Sequence, residues 1–462
     1  MSRTDSPNII VLLMDNLGYG DLGCYGSRLH RTPRVDRLAA EGLRLTSFYS
    51  TSGVCTPSRA SLMTGCYPRR VGLHVNDRGG CVLFPADRRG LSAAETTVAD
   101  LLRGQGYATA CIGKWHLGDQ APFLPTRHGF DHFFGCPYSE DMVPDERRPH
   151  WPPLPLMRGE AVVEAPADRD HLTRRYTEES LAFIRRNRDR PFFLYLAHAM
   201  PGSTARPFAS PPFQGRSANG PYGDAVEELD WSTGQIVDAL RELGLEERTL
   251  VLWTSDNGAV RRDPPQGSNA PLRGWGYDTS EGGQRVPCIA RWPGRIPAAG
   301  VSDEVATTMD VLPTVARLAG AAPPAGRAID GHDLLPFLEG EGGACSPYDG
   351  PGFLYYYLGQ LPAVRSGPWK LYLPLERKLC RLDGSWEGAG RAPAELYHLR
   401  DDIGETRQVA DRHPEVVARL LALAETARAE LGDGERGGAG QRAAGWVDDP
   451  RPPMRPGPPG GG

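Results

Sequence analysis

Residues 52–65 read SGVCTPSRASLMTG, with Cys55 and Arg59 at the start of a run that is typical of a helix. The dipole of such a helix and the nearby cation would favour the thiolate form of Cys55. Cysteine phosphatases use a thiolate of this kind, but their phosphate-binding loop is longer than the three residues that separate Cys55 from Arg59 here. The stretch therefore predicts a chemically active position without a phosphatase loop.

Elsewhere in the chain, one short apolar run before this stretch and three after it end in residues that can bind a metal or move a proton. The runs are NIIVLLMDN, TACIGKWHLG, PFFLYLAHA and TLVLWTSDNG, and the residues at their ends are Asp15, Asn16, Lys114, His116, His198, Asp256 and Asn257. Continuous apolar strands indicate a parallel sheet covered on both faces, which places ligands beyond the carboxyl ends of its strands. The acidic and amide residues offer only oxygen ligands, which suit calcium or magnesium more than zinc. A soft thiolate is a poor neighbour for such a site.

Composition excludes several other classes of protein. The 462 residues are 40% hydrophobic and 24% charged, as in a globular protein with one large core and a smaller unit. The net charge of −5 provides no basic field for nucleic acid or an anionic membrane. No run approaches the roughly 18–20 apolar residues that span a bilayer, and the first apolar run is too short for a secretory signal. Nine cysteines without paired spacing favour free thiols, so we expect a cytoplasmic protein unless the chain begins upstream.

The motifs around Cys55 resemble one family along nearly the whole chain. CTPSR resembles the sulfatase signature C-x-P-S-R, in which the cysteine is oxidised to the aldehyde formylglycine. MDNLGYGDLGCYG, GKWHLG, YGDAVEELD, TSDNGA and EGGQRVP occur in family order, as do AVRSGPWKLY and ELYHLRDDIGETRQVADRHPEVVARL near the end. Because the match runs from about Asn8 to Leu431, the chain is identified as a member of the sulfatase family.

The resemblance implies a fold and a division into domains. It implies an α/β alkaline-phosphatase-like fold, with a large central mixed sheet flanked by helices and a smaller C-terminal domain of antiparallel sheet and helix. The predicted domains are residues 1–335 (catalytic), 336–431 (C-terminal subdomain) and 432–462 (a Gly/Pro-rich tail, disordered or loosely docked). Apolar periodicity predicts a helix in residues 226–243 and a final helix over residues 413–431.

The resemblance also implies the cofactors, the partners and the role of each site residue. The hydrate of formylglycine carries two hydroxyls: one attacks sulfur and the other, once deprotonated, expels sulfate. The metal is then Ca²⁺, the substrate a small-molecule or carbohydrate sulfate ester, and the maturation partner a formylglycine-generating enzyme. The implied roles are Asp15, Asn16, Asp256, Asn257 and modified Cys55 as calcium ligands, Arg59 as the residue that steadies the hydrate, Lys114 as a sulfate-binding cation and His116 as the partner of the hydrate hydroxyl.

Three positions depart from the family pattern. Asn16 replaces a second aspartate, which removes one negative charge from the metal site. Gly276 stands where a second sulfate-binding lysine is expected, and Gly202 where a histidine protonates the leaving oxygen. His198 and Arg206 are the candidates to replace that histidine, with His198 as a substrate contact. Since phenolates leave without a proton more easily than sugar alkoxides do, we expect aryl sulfates to be preferred over alkyl and sugar sulfates.

Two alternative functions stay open from the sequence. A phosphonate or phosphodiester hydrolase could use the same metal and hydrate, although fewer cations disfavour phosphate monoesters. A catalytically impaired homologue would bind anions in a stoichiometric, calcium-independent way without turnover. Either enzyme, in contrast, would lose its activity on Cys55→Ala.

Overall fold

The computed structural model describes residues 6–324, 326–340, 345–374, 376–380, 386–391 and 393–453. Its strands are β1 (Asn8–Asp15), β2 (Leu43–Tyr49), β3 (Arg89–Gly90), β4 (Ala108–Gly113), β5 (His132–Gly135), β6 (Leu156–Arg158), β7 (Ala161–Glu164), β8 (Phe192–Pro201), β9 (Thr249–Ser255), β10 (Arg285–Arg291), β11 (Gly300–Ser302), β12 (Ala306–Thr307), β13 (Phe353–Tyr357), β14 (Gln360–Ser366), β15 (Trp369–Tyr372), β16 (Glu376–Cys380), β17 (Trp386–Arg391), β18 (Glu395–His398) and β19 (Gly445–Trp446). Its helices are α1 (Pro33–Ala40), α2 (Cys55–Thr64), α3 (Val98–Gly104), α4 (Leu172–Arg186), α5 (Gly220–Glu242), α6 (Glu281–Gln284), α7 (Val311–Ala319), α8 (Leu335–Leu338) and α9 (Pro414–Leu431). The last part of the predicted tail, residues 454–462, lies outside the described residues.

Strand β1 lies inside a large mixed sheet. Among the described residues, that sheet has eleven strands in the order β11-β2-β10-β9-β1-β8-β4-β5-β6-β7, with β12 paired to β2. The five strands from β9 to β5 in this order are parallel, whereas β10 and β6 run antiparallel to their neighbours. The mixed sheet predicted from the sequence is therefore confirmed.

The apolar run in β1 is continuous because both faces of the sheet are covered. Alternate side chains of the strand enter two separate cores, Ile10, Leu12 and Met14 on one face and Ile9, Val11 and Leu13 on the other. A strand with no solvent face needs no polar side chain until its end, so the first carboxylate of β1 is its last residue, Asp15.

The carboxyl ends of the five parallel strands meet at one edge of the sheet. Asp15 ends β1, and Asp256 directly follows β9. Lys114 directly follows β4, and Gly202 directly follows β8. Ser139 comes four residues after the end of β5. This edge is where a parallel sheet presents its polar groups to a ligand.

A second, smaller sheet lies near the C-terminus. Strands β13, β14, β15 and β18 are antiparallel neighbours in that order, and α9 shares an apolar core with them through Leu420, Ala424 and Leu431. The predicted antiparallel sheet and final helix are both confirmed. No helix within the described residues is long and apolar enough to cross a membrane.

Buried ion pairs connect the small sheet to the large one. Lys370 on β15 contacts Glu281 on α6 at 2.9 Å and Glu405 at 3.1 Å, with all three side chains fully buried. Tyr355 and Tyr372 donate hydrogen bonds to the same two carboxylates. Burial is tolerable for these charges because each carboxylate has both a cation and a hydroxyl as partners.

Candidate active site

Helix α2 places Cys55 beside the carboxyl ends of β1 and β9. All ten residues of this helix are buried, and Cys55, its first residue, is 2% exposed. One turn further on, the Arg59 guanidinium donates to Asp256 Oδ2 at 3.0 Å and to Asp15 Oδ2 at 2.7 Å. The i to i+4 spacing of the motif therefore lets one arginine hold both carboxylates under the cysteine.

The candidate metal ligands surround one point. The ligand atoms of Asp15, Cys55 and Asp256 all lie within 4.8 Å of one another. Asn16 donates from its backbone to Asp256 Oδ1 at 3.0 Å, and its side-chain oxygen accepts a bond from Asn257. Asn257 Oδ1 is buried and has no hydrogen-bond partner within the described residues. An unsatisfied oxygen among carboxylates fits a hard cation such as Ca²⁺, so the residues present are compatible with the predicted metal.

Lys114 joins the carboxylates to the cysteine. Its Nζ donates to Asp15 Oδ2 at 2.6 Å and to Ser139 Oγ at 2.9 Å, and it lies 3.5 Å from Cys55 Sγ. Burial alone would lower the pKa of Lys114, but the charge of Asp15 raises that pKa above its ordinary value. A lysine that stays charged next to position 55 is suited to bind an anion there.

The protonation states argue against a thiolate at position 55. Burial raises the pKa of the Cys55 thiol well above its ordinary value, and the charges of Asp15 and Asp256 raise it further. These effects outweigh Lys114 and Arg59, which favour the thiolate. The two carboxylates next to the sulfur disfavour a second anion, in line with the expectation that a thiolate is a poor neighbour for this site.

His116 presents one nitrogen without a partner. Its Nε2 lies 2.9 Å from the Leu83 carbonyl oxygen, which can only accept, so Nε2 carries the proton. Burial and the charge of Lys114 lower the pKa of His116 well below its ordinary value, so the ring is neutral. The deprotonated Nδ1 is buried and unpartnered within the described residues. His116 is therefore prepared to accept a proton or a hydrogen bond.

The structure does not bring His198 or Arg206 to this cluster. β8 continues to Pro201, so His198 lies inside the strand and not beyond its end. Its Nε2 is 3.0 Å from Ser232 Oγ on α5, and burial lowers its pKa to about 3. Arg206 lies on an exposed turn. Because its ring contacts α5, this placement does not support the expectation that His198 contacts the substrate, which stays a prediction.

The segment around Gly276 offers a tyrosine in place of the expected lysine. A Cβ at Gly276 would lie 2.6 Å from the Gly258 carbonyl oxygen, too close for any side chain without movement. The neighbouring Tyr277 donates its backbone N–H to the Gly53 carbonyl at 2.8 Å. Its phenol has a pKa well above the ordinary value because of burial and the proximity of Cys55. Tyr277 is thus placed near position 55 as a neutral group.

Sequence reasoning missed Ser139 and Glu140. Both follow β5, which pairs in parallel with β4 and so ends at the same edge of the sheet as Lys114. The signal was the one that revealed the other site residues, an apolar run, HFFG, followed by polar residues. The run is short and four other residues intervene before Glu140, so the pattern is weak there.

Comparisons with known proteins agree with the geometry. The family model described as Sulfatase matches residues 7–321. Steryl-sulfatase from Mus musculus is 38% identical over 92% of this chain and 82% of its own, and arylsulfatase A from Homo sapiens is 39% identical over 90% and 87%. The crystal structure of PsFucS1 sulfatase from Pseudoalteromonas sp. matches with a TM-score of 0.81 and 29% identity, over 92% of this chain and 90% of that one. The predicted fold is thereby confirmed, and the chain belongs to the sulfatase family.

Proposed function

We propose that this protein hydrolyses sulfate esters with Ca²⁺ and a formylglycine formed from Cys55, and that it prefers aryl esters. The observation that carries the proposal is the position of Cys55. Its Sγ shares a 4.8 Å cluster with the ligand oxygens of Asp15 and Asp256 and lies 3.5 Å from the Lys114 ammonium. Metal ligands and an anion-binding cation thus converge on the one residue that the family modifies.

The chemistry at position 55 requires an oxygen nucleophile. A formylglycine there would supply this oxygen through its hydrate, and Ca²⁺ held by the side chains of Asp15, Asn16, Asp256 and Asn257 would lower the cost of deprotonating it. His116 Nδ1 provides a neutral acceptor for a hydroxyl proton, since its Nε2 is already engaged by Leu83. An aldehyde hydrate suits this environment better than a thiolate, whose charge Asp15 and Asp256 disfavour.

Two cations and two carboxylates balance each other in the site. Arg59 contacts both Asp15 and Asp256, and Lys114 contacts Asp15. A sulfate ester carries one negative charge, which Lys114 and a bound cation would stabilise as it is shared over the sulfuryl oxygens. Ser139 Oγ, held by Lys114, is a further hydrogen-bonding group beside that position.

The preference for aryl esters rests on the leaving group. A phenolate leaves more readily than a sugar or alkyl alkoxide, so the ester of a phenol is expected to react faster in the same site. The relatives are named for aryl and for steryl sulfates, so their names do not choose between these substrates. A rate on a sugar sulfate equal to that on phenyl sulfate would contradict the preference.

The first experiment measures phenyl sulfate hydrolysis by protein co-expressed with a formylglycine-generating enzyme. Mass spectrometry first confirms the aldehyde at position 55, and the assay is run with calcium and with a chelator. We expect turnover that depends on calcium and is lost in Cys55→Ala, with Cys24→Ala, a cysteine outside the site, as the matched control. Fully modified, calcium-loaded protein without turnover would favour an anion-binding homologue instead.

A further inference from the structure

The carboxyl group of Glu140 occupies the position where a side chain of residue 202 would begin. A Cβ at Gly202 would lie 2.1 Å from Glu140 Oε1, well inside contact distance. The backbone φ of Gly202 is 70°, and its N–H donates to the Asp15 carbonyl at 3.0 Å. The glycine therefore lies directly next to the site, and it leaves space that the Glu140 carboxyl fills.

Glu140 is connected to the anion-binding cation but keeps one oxygen unpaired. Its side chain is fully buried, and Oε2 accepts a hydrogen bond from Ser139 Oγ at 3.1 Å. Ser139 in turn accepts from Lys114 Nζ, which lies 3.5 Å from Cys55 Sγ. Oε1 has no partner within the described residues. A buried carboxyl oxygen without a partner needs either a proton or a ligand.

We propose that Glu140 is the catalytic residue that protonates the leaving oxygen of the sulfate ester, an assignment that rests on the proposed function. In this step an oxygen nucleophile bonds to sulfur while the bond between sulfur and the leaving oxygen breaks. The electron pair of the broken bond goes to the leaving oxygen, which takes the proton from Glu140 Oε1 and departs as an alcohol or phenol. Glu140 is left as a carboxylate and regains a proton from solvent.

The surroundings of Glu140 favour the protonated carboxyl that this step needs. Burial raises its pKa to about 8, and the charges of Asp141 and Asp15 add to that effect, whereas Lys114 opposes it. A carboxylic acid of this kind is a proton donor near neutral pH. Gly202 and Glu140 are coupled because a side chain at position 202 and the present carboxyl position exclude each other.

The test compares two esters that differ in their need for a proton, 4-nitrophenyl sulfate and phenyl sulfate, in the modified, calcium-loaded enzyme. Glu140→Gln should lose on the order of 10² or more in kcat/KM on phenyl sulfate and much less on 4-nitrophenyl sulfate, whose leaving group is more acidic. Glu146→Gln makes the same substitution at an exposed glutamate of the same segment, and should leave the ratio of the two rates near that of the wild type. Equal losses on both esters in Glu140→Gln, or the selective loss in Glu146→Gln instead, would overturn the assignment.

A second variant tests the same point without removing the carboxyl group of Glu140. Gly202→Ala must displace the Glu140 carboxyl, so it should show the same selective loss on phenyl sulfate, with thermal unfolding used to confirm that each variant folds.

If neither variant folds, the test is the wild-type kcat/KM over a series of phenyl sulfates whose leaving phenols differ in pKa. If kcat/KM decreases with rising leaving-group pKa as steeply as the rate of uncatalysed hydrolysis in buffer does, no proton is donated to the leaving oxygen. Wild-type protein that hydrolyses neither ester contradicts the proposed function, whereas an active enzyme with unselective variants contradicts the role of Glu140 alone.

Discussion

Asn16 sets the net charge of the candidate calcium site. It lies between Asp15 and Asp256, donates from Nδ2 to Asp15 Oδ1 at 3.0 Å, and has a backbone φ of 55°. An amide can donate to one carboxylate while its oxygen faces a cation, which a second carboxylate cannot do. Without metal, Asn16 therefore stabilises the carboxylates of Asp15 and Asp256. Compared with an aspartate, it offers one negative charge less to a bound cation.

Asn16→Asp should make the protein depend more strongly on calcium. The added charge is expected to tighten calcium binding roughly tenfold. In a chelator, the same charge faces Asp15 without a donor and should lower the melting temperature below that of the wild type. Calcium titration by calorimetry and thermal unfolding with and without calcium measure both effects. Unchanged calcium affinity would show that position 16 is not a ligand.

How far the sequence predicts the site depends on where each strand ends. Asp15 and Asp256 come at or directly after the ends of buried apolar strands, so their convergence follows from the parallel sheet. His198 has the same appearance in the sequence, but β8 continues for three more residues and turns its ring toward α5. Glu140 was missed because the apolar run before it is short and because its proximity to Gly202 depends on the fold.

Within β8, His198 is expected to act on stability and not on catalysis. Its folded-state pKa of about 3 lies below the ordinary value of 6.5 because of burial. The unfolded state therefore binds more protons between these values, and stability is lost as the pH falls through this range. From pH 7 to pH 5 the histidine should account for about 2 kcal/mol of that loss.

His198→Gln tests both parts of this expectation. Urea unfolding at pH 5 and pH 7 should show a smaller loss of stability in the variant, since glutamine does not titrate. Its kcat/KM on phenyl sulfate at pH 7 should stay close to that of the wild type. A large fall in kcat/KM with normal folding would restore His198 as a substrate contact.

The link between β15 and α6 is expected to be strong because its charges are fully buried. Lys370→Met keeps the side-chain length but leaves Glu281 and Glu405 without their shared cation. We expect a loss of about 3–5 kcal/mol in the free energy of unfolding, measured in urea. Arg273→Met removes a partly exposed cation 3.7 Å from Glu405 and should cost less. Equal costs would show that Lys370 contributes no special stability.

The described part of the tail packs against the N-terminal half of the chain. β19 pairs with β3, and Arg442 binds both carboxylate oxygens of Glu95, at 2.8 and 2.9 Å. The composition predicted a tail that is disordered or loosely docked, because a Gly- and Pro-rich segment cannot form a core by itself and depends on existing surface for its order. The predicted boundaries at residues 335 and 431 stay predictions.

Arg442→Ala should destabilise the protein as a whole. It leaves the 4%-exposed Glu95 side chain with Arg327 as its remaining cation, so we expect a loss of about 1–3 kcal/mol. Arg451→Ala, which removes an 81%-exposed side chain from the same tail, is the control and should change little. Thermal unfolding compares the two variants. Identical melting temperatures for Arg442→Ala and the wild type would mean that the tail contributes nothing to stability.

The burial of helix α2 bears on when an enzyme could modify Cys55. Cys55 begins a helix without a solvent-facing residue and is itself 2% exposed. If Cys55 is oxidised as proposed, the oxidising enzyme would have to reach it before the sheet and helix close around it. Under the proposed function, oxidation and folding would therefore compete. A copy that folded first would then keep its thiol, and the active fraction of a preparation would be set before the protein is purified.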